Sequence, residues 1–160
     1  MITVGTIYAI LGSAVALGTA GLSTAYGVKL AGVTGTGAVA ENKDNFKSAL
    51  ILQALPQTQT VYAFITSLLI LMGAGLLSGN PKELTNLQGL AFLGSGLVVA
   101  LTGITAILQG KVASSGIKSC AENKDAFAPS LVFTGQCETP AIFGFIVSLM
   151  LLIIGMGVLG

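Results

Sequence analysis

The chain has 160 residues, of which 53% are hydrophobic and 8% are charged, and it contains neither Trp nor His. Its mean hydropathy of +0.90 is too high for an ordinary soluble domain and favours a membrane protein. Its formal net charge of +1 argues against a nucleic-acid partner.

Four apolar stretches are long enough to cross a bilayer, because a spanning helix needs ~20 mostly apolar residues. They cover approximately residues 5–28, 48–77, 85–110 and 128–159. Backbone polar groups must be satisfied inside lipid, so each stretch is predicted to be a helix. The first stretch lacks the positive segment of a signal peptide and is predicted to be retained. The predicted fold class is therefore an all-α membrane protein with four transmembrane helices.

The charges between the stretches predict an orientation. Lysines concentrate in the connections at residues 30–47 and 112–127 and at their borders, whereas the middle turn holds only Lys82. Positively charged connections remain on the cytoplasmic side. We therefore expect loops 30–47 and 112–127 to be cytoplasmic and both termini to face the opposite side.

The chain contains an internal repeat. The segment AENKDNFKSALILQALPQTQTVYAFITSLLI, from Ala40, aligns without a gap with AENKDAFAPSLVFTGQCETPAIFGFIVSLML, from Ala121. This pattern indicates two tandemly duplicated helical hairpins, predicted at residues 1–80 and 81–160. Only the second hairpin carries a membrane carboxylate, Glu138, because Gln57 occupies the equivalent position in the first.

The second predicted helix places polar groups on one face. Leu55, Thr58, Gln59 and Tyr62 follow the i, i+3, i+4, i+7 spacing of such a face. Pro56 cannot donate a backbone hydrogen bond and disturbs its turn, which makes nearby carbonyls such as that of Leu55 more available.

The third predicted helix combines glycine with one polar side chain. Glycine recurs every seven residues at Gly89, Gly96, Gly103 and Gly110. Glycine and alanine are also frequent in the first predicted helix, which gives it a surface with few bulky side chains. Small faces let membrane helices approach closely. If the third helix continues to about Ser119, Gln109 lies at the same depth as Glu138.

The fourth predicted helix supplies the carboxylate. A charge at the bilayer centre costs ~2.5–3.5 kcal/mol on insertion scales, so an intramembrane Glu usually has a partner and a transport role. Together with Thr58, Gln59 and Gln109, Glu138 offers hard oxygen ligands that suit a hard cation. Tyr62 is expected to donate its hydroxyl to Glu138. Alternative interpretations are that Gln and Thr only link helices by hydrogen bonds, and that Glu138 pairs with Lys111. Cys120 and Cys137 are expected to be free thiols.

The duplicated hairpin and the motifs ALILQALPQTQTVYAF, LQGKVASSGI and ETPAIFGF resemble the proteolipid rotor-ring subunit, called c or K, of V-type rotary ATPases. In particular, the chain resembles the bacterial Na⁺-translocating form of this subunit. In that family a backbone carbonyl, a Thr and two Gln hold the ion together with a Glu. The resemblance implies that the ion ligands here are the Leu55 carbonyl, Thr58, Gln59, Gln109 and Glu138, with Tyr62 beside them.

The resemblance also implies partners and a mechanism. Copies of the chain would form a ring in the bilayer and would contact central-stalk subunits. Each copy would exchange Na⁺ at a static membrane subunit whose arginine competes for Glu138. The chain itself has no Gly-rich phosphate-binding loop. We therefore expect ATP hydrolysis in a separate soluble part of the complex and no catalysis in this chain. The implied location is a bacterial cell membrane.

Three alternatives remain open from the sequence. In the first, the same ring carries H⁺, with Glu138 as the protonated carrier. In the second, the protein is a small multidrug transporter that uses the carboxylate for a cationic drug. In the third, it is a structural proteolipid without transport.

Overall fold

The computed structural model describes residues 3–158, and all regular structure in that range is helical. The α-helices are α1 (Val4–Glu41), α2 (Phe46–Ala54), α3 (Thr58–Gly73), α4 (Asn86–Gly103), α5 (Thr105–Glu122), α6 (Phe127–Gln136) and α7 (Thr139–Gly155). Short 3-10 turns occupy Lys43–Asn45, Leu55–Gln57 and Lys124–Ala126. Residues 1, 2, 159 and 160 lie outside the described range, and with them the outer ends predicted for both hairpins and for the fourth stretch.

Within the described range, four helical segments are long and apolar enough to cross a membrane. They are Val4–Glu41, Lys43–Gly73, Asn86–Glu122 and Lys124–Gly155. These segments confirm the predicted all-α fold with four candidate spans. At 1.5 Å per residue, the 38 residues of α1 extend for about 57 Å, well beyond a hydrocarbon core of ~30 Å.

The predicted loops at 30–47 and 112–127 are wrong for most of their length. Helix α1 continues to Glu41 and α5 continues to Glu122. Hydropathy falls in both segments, but neither contains a proline, so no residue forces the helix to end. Each helix ends where an Asn adopts an extended backbone and caps the next turn: Asn42 accepts from the Asp44 N–H, and Asn123 from the Asp125 N–H.

The chain forms two compact units, and each of the four segments contributes residues to both. Within the described range, the first unit contains residues 3–21, Thr60–Gly103 and 141–158. Its core surrounds Phe92, Ile70 and Leu152, and a buried hydroxyl cluster links its helices. In that cluster Ser95 and Ser148 lie 2.8 Å apart, and Thr66 lies 3.2 Å from Ser148.

The second unit contains Leu22–Gln59 and Ile104–Pro140. Its core brings Leu52 and Ala49 of α2 together with Ile117 and Ala113 of α5. Phe127 and Leu131, at the start of the fourth segment, pack against this core. Cys120 lies buried in the same core, and Cys137 is half-buried; both are free thiols. The predicted ion ligands all lie in this unit, whereas Tyr62 lies in the first unit.

The glycine repeat of the third segment packs against small residues of α1. In the first unit, a side chain at Gly89 or Gly96 would strike the backbone of Gly5 or Gly12, respectively. In the second unit, Gly110 faces the backbone of Gly27 in the same way. Two backbones approach this closely only where both helices lack side chains, which agrees with the predicted small faces.

Candidate ion-binding site

Pro56 breaks the second segment into α2 and α3. It is buried within the 3-10 turn Leu55–Gln57. The Leu55 carbonyl accepts the backbone N–H of Thr58 and also the Thr58 hydroxyl, at 3.1 Å. The turn is therefore disturbed as expected, and the Leu55 carbonyl points toward Thr58.

Three oxygen atoms lie together at the start of α3. Besides its contact with the Leu55 carbonyl, the Thr58 hydroxyl lies 3.3 Å from Oε1 of Gln59. The single hydroxyl hydrogen can point at only one of these two acceptors at a time. A cation in contact with all three oxygens would instead use a lone pair from each.

Two fully buried glutamines join the second and third segments. Nε2 of Gln59 donates to Oε1 of Gln109 at 2.7 Å, and neither side chain is exposed. Nε2 of Gln109 in turn donates to the Thr134 carbonyl at 3.1 Å. Hydrogen bonding of both amides offsets the cost of burying them and fixes which atoms of Gln59 and Gln109 face each other.

The fourth segment is interrupted between α6 and α7, and Glu138 lies at this break. In a continuous helix the Glu138 N–H would donate to the Thr134 carbonyl. Here it donates to the Gly135 carbonyl at 3.0 Å, while the Cys137 N–H lies 3.3 Å from the Thr134 oxygen. Pro140, two residues further on, lacks the N–H that would continue the regular pattern. The irregular turn leaves the Thr134 carbonyl open to Gln109.

The predicted ligands and their neighbour Tyr62 fall into three groups. Leu55, Thr58, Gln59 and Gln109 form a series of hydrogen-bond contacts that ends at the Thr134 carbonyl. Glu138 is half-buried and lies one helical turn beyond Thr134 in the same unit. The Tyr62 ring stacks on Phe145 of the first unit, with centroids 5.1 Å apart, and its action on Glu138 stays a prediction.

Sequence reasoning missed the Thr134 carbonyl as the partner of Gln109. Pro140 signals a break in the fourth segment, but the carbonyl that directly loses its donor is that of Gln136, four residues before it, so no direct signal in the sequence pointed to Thr134. The buried hydroxyl cluster around Ser148 was also missed. Its signal was the recurrence of Ser67 and Ser148 at equivalent positions of the repeat.

Gln57 and Gln59 provide a test of the site within one turn. Gln57 is exposed, whereas Gln59 is fully buried and bonded to Gln109. Gln57→Ala should change ion affinity by no more than about threefold, and Gln59→Ala should lower it by about tenfold or more, because a hydrogen bond to a charged group is worth ~1.5–3 kcal/mol. Isothermal titration of purified protein with NaCl measures both. A large loss in Gln57→Ala would mean that the first hairpin has a site of its own.

Four apolar helical segments, with a buried network of amides and hydroxyls leading toward a carboxylate, define a membrane protein with an internal polar site. The chain belongs to the family of the ATP synthase C subunit, which residues 11–70 and 93–151 match separately. The two matches, one in each half, confirm the duplicated hairpins. Members of this family are ring-forming rotor subunits of rotary ATPases, and they translocate ions without hydrolysing ATP themselves.

Two relatives are similar over most of the chain. The A-type ATP synthase subunit K of Methanocaldococcus jannaschii is 36% identical over 143 residues. That match covers 89% of this chain but only 60% of the relative, so the chain spans about three fifths of that relative's length. The V-type sodium ATPase subunit K of Enterococcus hirae is 35% identical over 150 residues, which are 93% of this chain and 92% of the relative.

Proposed function

We propose that this chain is the rotor-ring subunit of a V-type ATPase and that it binds Na⁺ and carries it across the membrane. The observation that carries the proposal is the series of hydrogen-bond contacts from Leu55 through Thr58 and the two fully buried glutamines to the Thr134 carbonyl. These contacts bring oxygen atoms from separate helices together in the unit that contains Glu138, which supports a cation site there.

The ligand chemistry supports sodium as the cargo. The carbonyl of Leu55, the hydroxyl of Thr58, and the amide oxygens of Gln59 and Gln109 are uncharged and hard, and Glu138 adds one negative charge. Such a set balances a monovalent cation and leaves the loaded site neutral. The Enterococcus hirae relative is named a sodium ATPase subunit, which agrees with this cargo.

Neutrality is the basis of the mechanism. A loaded Glu138 site has no net charge, so it can pass through lipid without the cost of a bare carboxylate. A static membrane subunit would supply an arginine that competes for Glu138 and releases the ion. Moving one charge against 100 mV requires ~2.3 kcal/mol, which ATP hydrolysis in separate subunits would supply through central-stalk subunits.

The proposed location is a bacterial cell membrane, with copies of the chain forming a closed ring. In this proposal the lysine-containing turns that begin at Asn42 and Asn123 face the cytoplasm, and both termini face the other side. The two hairpins of residues 1–80 and 81–160 would be the repeating elements of the ring.

Carbodiimide labelling of Glu138 tests the proposed cargo. A carbodiimide attacks a protonated carboxyl group, and bound Na⁺ excludes the proton from the same oxygens. NaCl should therefore slow labelling of the purified ring, whereas KCl at the same concentration should not. As the pH falls, a higher NaCl concentration should be needed for the same protection. Protection by high pH alone would support an H⁺-carrying ring. Protection by lipophilic cations would instead favour the drug transporter.

Two ligand variants extend the same assay. Thr58→Ala and Gln109→Ala each remove one oxygen and should raise the NaCl concentration for half-protection by about tenfold. Without NaCl, labelling should remain, because Glu138 is still present. Unchanged sodium protection in both variants would contradict the five-residue site.

A further inference from the structure

The second unit contains one interface between the two repeats, formed where residues 44–52 meet residues 113–131. The apolar part joins Leu52 to Ile117, with Phe127 and Leu131 packed alongside. At the exposed end, Nζ of Lys124 lies 3.3 Å from Oδ2 of Asp44. In this interface the two repeats contact each other through different sides. The first repeat contributes the side that carries Leu52, and the second repeat contributes the side that carries Phe127 and Leu131.

Equivalent residues of the two repeats differ in burial in a consistent way. Phe46 and Leu50 are 58% and 51% exposed, whereas their equivalents 81 residues later, Phe127 and Leu131, pack against the core. The side of the second repeat that carries Phe127 and Leu131 is therefore covered within the chain, whereas the equivalent side of the first repeat is exposed.

The opposite side shows the reverse relation. Leu52 is fully buried under the second repeat, whereas its equivalent Phe133 is 64% exposed. The side of the first repeat that carries Leu52 is therefore covered by the second repeat, whereas the equivalent side of the second repeat, which carries Phe133, is exposed.

Each open side contains a groove. Phe46, Leu50 and Gln53 line one groove of about 710 Å³ on the first repeat. Ser130 and Phe133 line another of about 480 Å³ on the second repeat. Polar residues also line them, including Lys29 and Thr36 in the first groove and Ser115 and Ser119 in the second. Such polar groups gain more from a protein surface than from lipid tails.

The charges at the loop follow the same relation. The equivalent of Lys124 is Lys43, and the equivalent of Asp44 is Asp125. Both Lys43 and Asp125 are exposed. If the same kind of interface formed between two chains, it would bring Lys43 of one chain beside Asp125 of the other. Within one chain the interface already pairs Lys124 with Asp44.

We propose that a second copy of this chain docks here, with the Phe46 groove of one copy against the Phe133 side of the next, and with Lys43 of one copy beside Asp125 of the other. This contact repeats the intrachain interface between chains. It is heterologous, with different surfaces on the two partners, so it continues from copy to copy and closes where the rotation permits. The inference rests on the ring assembly of the proposed function and names its contact surfaces.

Cross-linking tests which surfaces meet. In a chain with Cys120→Ala and Cys137→Ala, Lys43→Cys combined with Asp125→Cys should give a ladder of covalent multimers with a short bismaleimide. Asp44→Cys combined with Lys124→Cys is the matched control, and it should give only a cross-linked single chain. An exposed ion pair contributes little to stability, so both variants should still fold and assemble.

Native mass spectrometry of the same samples separates the possible failures. An intact ring with a ladder from the 43/125 pair supports the interface. An intact ring without that ladder, or dimers from Lys43→Cys alone, overturns the interface and leaves ring assembly standing. A monomer in the parent protein overturns the ring, and the interface with it, whereas sodium protection of Glu138 is measured independently.

Discussion

We expect Glu138→Gln to abolish both carbodiimide labelling and ATP-driven Na⁺ uptake. The amide keeps the size and one oxygen of the side chain but removes the negative charge that balances the cation. An unbalanced charge in the bilayer costs ~2.5–3.5 kcal/mol, which corresponds to a loss of ~10²-fold in sodium affinity. The loaded site would also be charged as it turns through lipid, so transport should fall further than binding.

The measurement uses the rotary complex reconstituted in vesicles, with ²²Na⁺ uptake started by ATP. Glu138→Asp is the control, because it retains the charge and moves it by one methylene. It should keep labelling and weak, measurable uptake. Uptake by Glu138→Gln close to that of the unaltered protein would show that another group carries the ion.

The second large effect is expected from Gly110→Ala. An added methyl group would strike the backbone of Gly27, which cannot rotate away as a side chain can. Overpacking of this kind costs ~1–3 kcal/mol and occasionally more. Because Gly110 follows Gln109, any shift of α5 should also weaken the 2.7 Å bond between Gln109 and Gln59. Both stability and sodium affinity should therefore fall.

Gly37→Ala is the matched control in the same unit. Gly37 is exposed, and an added methyl group would meet no atom within 4 Å. Alanine is favoured over glycine in a helix by ~1 kcal/mol, so this variant should be as stable as the unaltered protein or more stable. Denaturation in mixed micelles, followed by circular dichroism, compares the two. Equal stability of Gly110→Ala and Gly37→Ala would contradict the close backbone contact.

The candidate ligands illustrate how much of the site could be predicted from the sequence. Helical spacing alone placed Leu55, Thr58 and Gln59 together, because residues three and four apart share a face. The alignment of the two repeats also showed, without any structure, that Glu138 and Gln57 occupy equivalent positions. Spacing cannot state which atoms meet, however, and the hydrogen bond from Gln109 to the Thr134 carbonyl depends on how two separate segments pack.

The sequence by itself determined the apolar spans, the duplication and the glycine repeat, because each is a regular local pattern in the chain. The helix ends were misjudged, since hydropathy reports preference for lipid, whereas α1 and α5 continue until Asn42 and Asn123 cap the following turns. Only the tertiary structure decided the pairing of Gly110 with Gly27, and the open Phe46 and Phe133 sides. Those features depend on contacts between residues far apart in sequence, which no local pattern specifies.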